Sequence, residues 1–147
     1  MNLRYRMFFI LAAIGLMAPL GISGRQQTAD KASAMSAAED VQRISVADLK
    51  DKLTSSEAVV IIDVRGKDFD SSDSKIKGAI RIAPTDIESH IADLSRDSQI
   101  VTYCSCATDG GAVSAARVLM LNGFKNVRAL RGGWNAWLKA GGATEPK

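Results

Sequence analysis

The chain has 147 residues, of which 46% are apolar and 24% are charged. This composition is typical of one globular domain with room for an appendage. It excludes a fully disordered chain, a collagen-like repeat and a polytopic membrane protein. The net charge is +3, and Arg4 and Arg6 account for +2 of it, leaving 17 basic against 16 acidic residues beyond position 24. We therefore expect no nucleic-acid partner.

The first 24 residues have the pattern of a secretory signal. A short positive segment precedes residues 7–24, a stretch of 18 uncharged and mostly apolar or small residues. A cleaved signal peptide and an uncleaved membrane anchor both fit, because 18 such residues just reach bilayer thickness. In either case we expect the rest of the chain to be exported to the periplasm, soluble after cleavage or anchored to the inner membrane by residues 7–24.

The remainder divides into three parts. Residues 25–40 are polar and small, without periodicity, and predict a flexible linker. A domain over residues 41–143 and a short tail over residues 144–147 follow. Two cysteines and one histidine cannot fill a four-ligand zinc site within one chain, so we expect no metal.

The expected domain alternates helices and strands, which predicts an α/β fold with a mostly parallel central sheet and helices on both faces. Continuous apolar or β-branched runs predict the strands, and helical spacing with capping signals predicts the helices. The predicted strands are Ala58–Asp63, Gly78–Ile82, Gln99–Tyr103 and Val127–Leu130, and the predicted helices follow Ser45, begin near Pro84–Thr85, and span Ala112–Leu121 and Gly133–Ala140.

Reactive side chains follow the predicted strands. Asp63 ends the first and Arg65 follows it, Cys104 follows Gln99–Tyr103, and Arg131 follows the last. Because parallel sheets bind ligands outside the carboxyl ends of their strands, these residues are candidates for one site.

Cys104 lies between a predicted strand and the loop Ser105–Gly111, which leads into a helix. We expect its sulfur to face the amino end of that helix, where backbone N–H groups favour a thiolate. Gly110 and Gly111 allow the loop amides to point inward as an anion cradle. The alternative is a buried structural cysteine.

Four motifs in this order resemble those of a rhodanese-like domain. They are IIDVR at Ile61–Arg65, Gly-Ala-Ile at Gly78–Ile80, IVTYC ending at Cys104, and LRGGWNAW from Leu130. The resemblance covers about residues 42–142 and implies a three-layer fold. It also implies sulfur transfer without a cofactor: Cys104 would take a sulfane sulfur from a small donor such as thiosulfate, form a persulfide, and pass the sulfur to a thiol.

The loop departs from the usual family pattern. A cation is usual about five positions after the cysteine, where this chain has Asp109. An acid there disfavours a thiolate and repels a dianionic donor. Arg65 or Arg131 could supply the missing charge, although for Arg65 we favour a structural salt bridge with a carboxylate. The expected active-site loop comprises Ser105, Cys106, Ala107, Thr108, Asp109 and Gly110.

Cys106 is a second candidate nucleophile. Counting back from Gly123 gives it the usual catalytic position, whereas counting from the strand end gives that position to Cys104, which we favour. Cys106 would then resolve a persulfide or sulfenate on Cys104 by forming a disulfide. The leading prediction is an exported sulfurtransferase or persulfide carrier. The alternatives are a thiol–disulfide redox protein using both cysteines and a binding module with weak catalysis.

Overall fold

The computed structural model describes residues 40–147, so the predicted signal or anchor and all but the last residue of the predicted linker lie outside the described residues. No helix within residues 40–147 is both long and apolar enough to cross a membrane. The elements are β1 Arg43–Ile44, α1 Val46–Thr54, β2 Val59–Asp63, α2 Lys67–Asp70, β3 Ser74–Ile76, β4 Ile80–Arg81, a 3-10 helix Glu88–Asp93, β5 Gln99–Tyr103, α3 Gly110–Leu121, β6 Val127–Leu130, α4 Gly133–Lys139 and β7 Thr144–Pro146.

Five strands form a parallel sheet in the order β1-β6-β5-β2-β4. The central strands β2 and β5 pair with Ile61 opposite Val101. Both are mostly apolar, because the sheet is covered on both faces. The predicted α/β fold with a mostly parallel sheet is confirmed.

Successive residues of β2 point to opposite faces, so Ile61 and Ile62 belong to different apolar clusters. The Ile62 cluster contains Leu119 of α3, and the Ile61 cluster contains Leu49 of α1 and Trp137 of α4. The sheet is therefore the middle of three layers.

Most predicted elements are confirmed, but the helix expected after Pro84–Thr85 is a 3-10 helix. Two side chains explain the difference. The Ser89 hydroxyl donates to the carbonyl oxygen of Asp86 at 2.8 Å, and His90 Nδ1 lies 2.9 Å from the same oxygen. Because these side chains occupy the Asp86 carbonyl oxygen, the backbone N–H of His90 donates to the Ile87 carbonyl instead, three residues back.

The last residues, predicted to be a tail, form a strand. β7 pairs antiparallel with β3, with Lys75 opposite Glu145, and the charged ends of these two side chains lie 3.3 Å apart. The Lys147 ammonium donates to the carbonyl oxygens of Phe69 and Asp70 at 3.0 and 2.8 Å. The folded unit therefore extends beyond residue 143.

Candidate active site

The carboxyl ends of β2 and β5 lie side by side, because these strands are parallel and paired through Asp63 and Tyr103. The Val64 N–H donates to the Tyr103 carbonyl at 2.9 Å, which continues the pairing to the first residue beyond β2. Cys104 follows Tyr103 directly. The structure thus brings the Asp63–Arg65 turn and the cysteine loop to one edge of the sheet, as the sequence predicts.

Asp63 and Arg65 form an ion pair that is closed to solvent. Both side chains are fully buried, and Arg65 Nη2 lies 2.7 Å from Asp63 Oδ2. Arg65 Nη2 also donates to the Ser74 carbonyl at 2.9 Å. The guanidinium packs against aromatic rings, with Cζ 4.3 Å from the Trp134 ring centroid and 5.2 Å from that of Phe69. Arg65 therefore forms a structural salt bridge and does not serve as a solvent-accessible cation at the site.

Tyr103 completes this buried cluster. Its hydroxyl donates to Asp63 Oδ2 at 2.5 Å and accepts the Ile76 N–H at 3.2 Å. Burial raises the pKa of Tyr103 well above its usual range, and the bond to Asp63 adds to the effect. The phenol therefore remains a proton donor, and it ties β5 to both β2 and β3.

Arg131 lies at the same edge of the sheet but outside this cluster. Its backbone N–H donates to the Ile44 carbonyl at 2.9 Å, which extends the pairing of β6 with β1, and its side chain is exposed. Arg131 is therefore a cation open to solvent beyond the end of β6, whereas Arg65 is not.

The sulfur atoms of Cys104 and Cys106 are joined in a disulfide across a Cα separation of 5.7 Å. The two residues differ in environment. Cys104 is 4% exposed and packs in the apolar cluster that includes Ala112 of α3, whereas Cys106 is exposed. The Gly111 N–H, in the first turn of α3, donates to Cys106 Sγ at 3.3 Å. The Cys104 sulfur also lies beside Gly111 at this end of the helix, but the hydrogen bond from the Gly111 N–H goes to Cys106.

The backbone around Cys104 is held by α4. The Trp134 N–H donates to the Cys104 carbonyl at 2.8 Å. A Cβ at Gly133 would collide with the same carbonyl oxygen, so this approach needs glycine, and the φ of Gly133 is +49°. The Gly-Gly pair after β6 therefore allows α4 to begin directly against the cysteine.

Two residues that sequence reasoning missed hold Ser105, between the cysteines. The Ser105 hydroxyl hydrogen-bonds the Asp68 carboxylate of α2, and Asn135 Nδ2 of α4 donates to the Ser105 carbonyl at 3.3 Å. Asp68 and Asn135 lie in two separate helices, so no local pattern relates them to Ser105. The remaining predicted loop residues Ala107, Thr108 and Gly110 are exposed.

Asp109 occupies the place where a cation was expected, but its carboxylate has other partners. Oδ1 accepts the Gly132 N–H at 2.9 Å, and Oδ2 lies 3.7 Å from Arg43 Nε. The residue is 6% exposed and has a left-handed backbone with φ 58°. The carboxylate thereby fastens the loop to the β6–α4 turn, and its expected effect on the thiolate and on an anionic donor stays a prediction.

Within residues 40–147, no group of three or more His, Cys, Asp or Glu side chains is placed to hold a metal ion.

The sequence model of the rhodanese-like domain family matches residues 45–140. The chain belongs to the rhodanese-like family. Among curated proteins it is 32% identical to the "Putative sulfurtransferase YtwF" of Bacillus subtilis (strain 168) over 108 residues, which cover 74% of this chain and 98% of that protein.

Solved structures share the fold. The rhodanese-like domain of Alr3790 from Anabaena sp. superposes with a TM-score of 0.63 at 30% identity, covering 74% of this chain and 81% of that one. A Rhodopseudomonas palustris CGA009 protein, named "Protein of Unknown Function RPA3614, Possible Tyrosine Phosphatase", gives a TM-score of 0.62 at 28% identity, covering 88% of this chain and 100% of that one.

This chain lacks the residue that cysteine phosphatase chemistry needs. An arginine six positions after the cysteine would clamp the phosphate in a bidentate contact. The residue six after Cys104 is Gly110, and the residue six after Cys106 is Ala112. Neither cysteine is therefore followed at this spacing by the arginine that would clamp a phosphate.

Proposed function

We propose that the protein is an exported sulfurtransferase whose Cys104–Cys106 loop accepts a sulfane sulfur as a persulfide and passes it to a thiol. Membership of the rhodanese-like family and the likeness to YtwF support the reaction class. The observation that carries the proposal is the meeting of both sulfur atoms beside Gly111, in the first turn of the 12-residue helix α3.

The proposed reaction uses the reduced form of the pair. A cysteine thiolate attacks the outer sulfur of a donor such as thiosulfate, and sulfite leaves with the electron pair of the broken S–S bond. The product is a cysteine persulfide, which a thiol acceptor attacks in turn. The Gly111 N–H and the positive end of α3 favour the anionic sulfur at each stage. No metal or organic cofactor takes part.

The test is the intact mass of the full-length chain, purified in detergent and reduced, before and after thiosulfate or glutathione persulfide. The expected result for at least one single cysteine variant is a gain of about 32 Da that dithiothreitol removes. The double variant Cys104→Ser/Cys106→Ser is the matched control and should gain nothing. Absence of sulfur uptake by the wild type and by both single variants, from both donors, would overturn the proposal.

The disulfide favours one second candidate, a thiol–disulfide redox protein that handles electrons without sulfane sulfur. This candidate predicts that a partner dithiol reduces the Cys104–Cys106 pair while no donor adds sulfur to either cysteine. The mass experiment on the single variants separates the two functions, since only the sulfurtransferase gains about 32 Da.

Export is the part of the proposal that rests on sequence alone. The support is the uncharged stretch of residues 7–24, preceded by Arg4 and Arg6. The test is fractionation of cells that produce the chain with a C-terminal tag, followed by mass determination. Recovery in the periplasm or the inner membrane is expected, with the mass distinguishing a cleaved signal from an anchor. Recovery in the cytoplasm at full mass would contradict export.

A further inference from the structure

We propose that Cys106 is the sulfur-accepting thiol and that Cys104 resolves its persulfide, releasing hydrosulfide and leaving the Cys104–Cys106 disulfide. The protein is then a sulfane-sulfur reductase that depends on an external dithiol for each further turnover. This inference rests on the proposed function, because it requires that the loop accept sulfur. It adds a second reaction, assigns each cysteine a role, and names the class of reductant.

Accessibility decides which thiol meets the donor. Cys106 is exposed, and its sulfur accepts the Gly111 N–H at 3.3 Å. Cys104 is 4% exposed and belongs to the buried apolar cluster that also contains Ile82 and Ala112. A donor the size of thiosulfate or a peptide persulfide reaches Cys106 from solvent, but it would have to displace core residues to reach Cys104. The N-terminus of α3 adds to this difference in reactivity, because the Gly111 N–H donates to the sulfur of the exposed Cys106.

Cys104 is placed instead to attack its neighbour. Its carbonyl is held by the Trp134 N–H at 2.8 Å, and the close approach of Gly133 leaves this part of the backbone little room to move. The atom within its reach is Cys106 Sγ, to which it is joined in the structure across a Cα separation of 5.7 Å. That separation is within the range in which disulfides form without backbone movement.

The resolving step balances without an outside oxidant. The Cys104 thiolate attacks the inner sulfur of the Cys106 persulfide, and the bond between the inner and outer sulfur atoms breaks. The outer sulfur leaves with that electron pair and one proton as hydrosulfide. The sulfane sulfur is thereby reduced and the two cysteines are oxidised to a disulfide. A dithiol reductant, which itself becomes a disulfide, then restores both thiols.

The test is a single turnover of the reduced full-length chain in detergent, with thiosulfate as the donor and no other thiol present. Hydrosulfide is measured as its bimane adduct and the chain by intact mass. The wild type is expected to release about one equivalent of hydrosulfide and end about 2 Da below the reduced mass. Cys104→Ser should keep a stable gain of about 32 Da with no hydrosulfide, and Cys106→Ser should take up no sulfur. Near-UV circular dichroism checks that both variants are folded.

Each other outcome is decisive. Sulfur uptake by Cys106→Ser but not by Cys104→Ser would overturn the assignment while leaving the sulfurtransferase intact. A wild type that keeps the added sulfur, or that forms the disulfide without hydrosulfide, would overturn the resolving step alone. Absence of sulfur uptake by every chain, with glutathione persulfide as well as thiosulfate, would overturn the proposed function together with this inference.

Discussion

Arg65 forms a buried ion pair with Asp63 at the end of β2 and packs against Trp134 of α4, the helix that contacts the cysteine loop. Arg65 Nη2 lies 2.7 Å from Asp63 Oδ2, while the guanidinium packs 4.3 Å from the ring centroid of Trp134. The backbone N–H of Trp134 donates to the Cys104 carbonyl. The pair thus supports the position of Cys104 through Trp134.

Removing one partner of this pair should be strongly destabilising, because the other charge remains buried. We expect Asp63→Asn and Arg65→Met each to lower the free energy of unfolding by about 3–5 kcal/mol, and the double variant to lose less than the sum. Urea denaturation of the full-length chain in detergent measures all three.

The matched control is an exposed pair with the same separation. Lys52 Nζ lies 2.7 Å from Glu57 Oε2, but both side chains are partly solvated. Glu57→Gln should therefore cost only a small fraction of the loss in Asp63→Asn. Equal losses in the two variants would mean that the buried pair is not a principal support of the site.

Gly133 offers a test of the contact between α4 and Cys104. A methyl group there would collide with the Cys104 carbonyl, whereas Gly141, with a similar φ of +60°, has open space around its would-be Cβ. Gly141→Ala should cost about 1–2 kcal/mol from the left-handed backbone alone. Gly133→Ala should cost clearly more in urea denaturation, because the carbonyl must move. Similar costs in the two variants would argue against the close approach.

Elements with a strong local pattern could be predicted from the sequence. Gln99–Tyr103 and Val127–Leu130 have the predicted bounds, since each is a short segment of mostly apolar or β-branched residues. The strands Ser74–Ile76 and Thr144–Pro146 could not be predicted, because what defines them is their pairing across 70 positions. Their own three-residue sequences carry no periodicity.

The site likewise has features that the sequence predicts and features that only the packing of the fold determines. The ends of parallel strands indicated Asp63, Arg65 and Cys104 together, because that edge follows from topology. The burial of Cys104 and the exposure of Cys106 depend on how α3 and α4 pack around the loop. Neighbouring positions in the sequence do not determine such a difference, so the sequence left both cysteines as candidates.

The stability of the protein should fall in alkali because of Tyr103. Burial and the Asp63 bond raise its pKa in the folded chain, whereas in the unfolded chain it ionises near pH 10. The unfolded state therefore loses a proton that the folded state retains. This contribution to stability is complete below about pH 10 and is lost as the pH rises above it.

Urea denaturation from about pH 8 to about pH 11 measures this effect. Tyr103→Phe is the control: it should be less stable at the lower pH, because the Ile76 N–H loses its acceptor, but it should decline less on alkalinisation. An equal alkaline decline in both chains would contradict the assignment.

Variants of Asp109 can show whether this residue acts through its hydrogen bond or through its negative charge. Its carboxylate accepts the Gly132 N–H and lies beside Arg43, and asparagine keeps both the acceptor and the tolerance of a left-handed backbone. Asp109→Asn should therefore load sulfur from thiosulfate within about twofold of the wild-type rate. Asp109→Ala loses the acceptor and should be destabilised by about 1–3 kcal/mol, with slower loading.

Asp109→Asn and Asp109→Ala both remove the charge, but only Asp109→Ala removes the hydrogen bond. If the negative charge reached the donor, both would load thiosulfate faster. An increase of about tenfold in Asp109→Asn, equivalent to about 1.4 kcal/mol in the barrier, would show that this repulsion operates. Stopped-flow loading in detergent at two salt concentrations checks the point, since a direct charge effect on a dianion weakens with salt, whereas a loop held by a hydrogen bond does not depend on it.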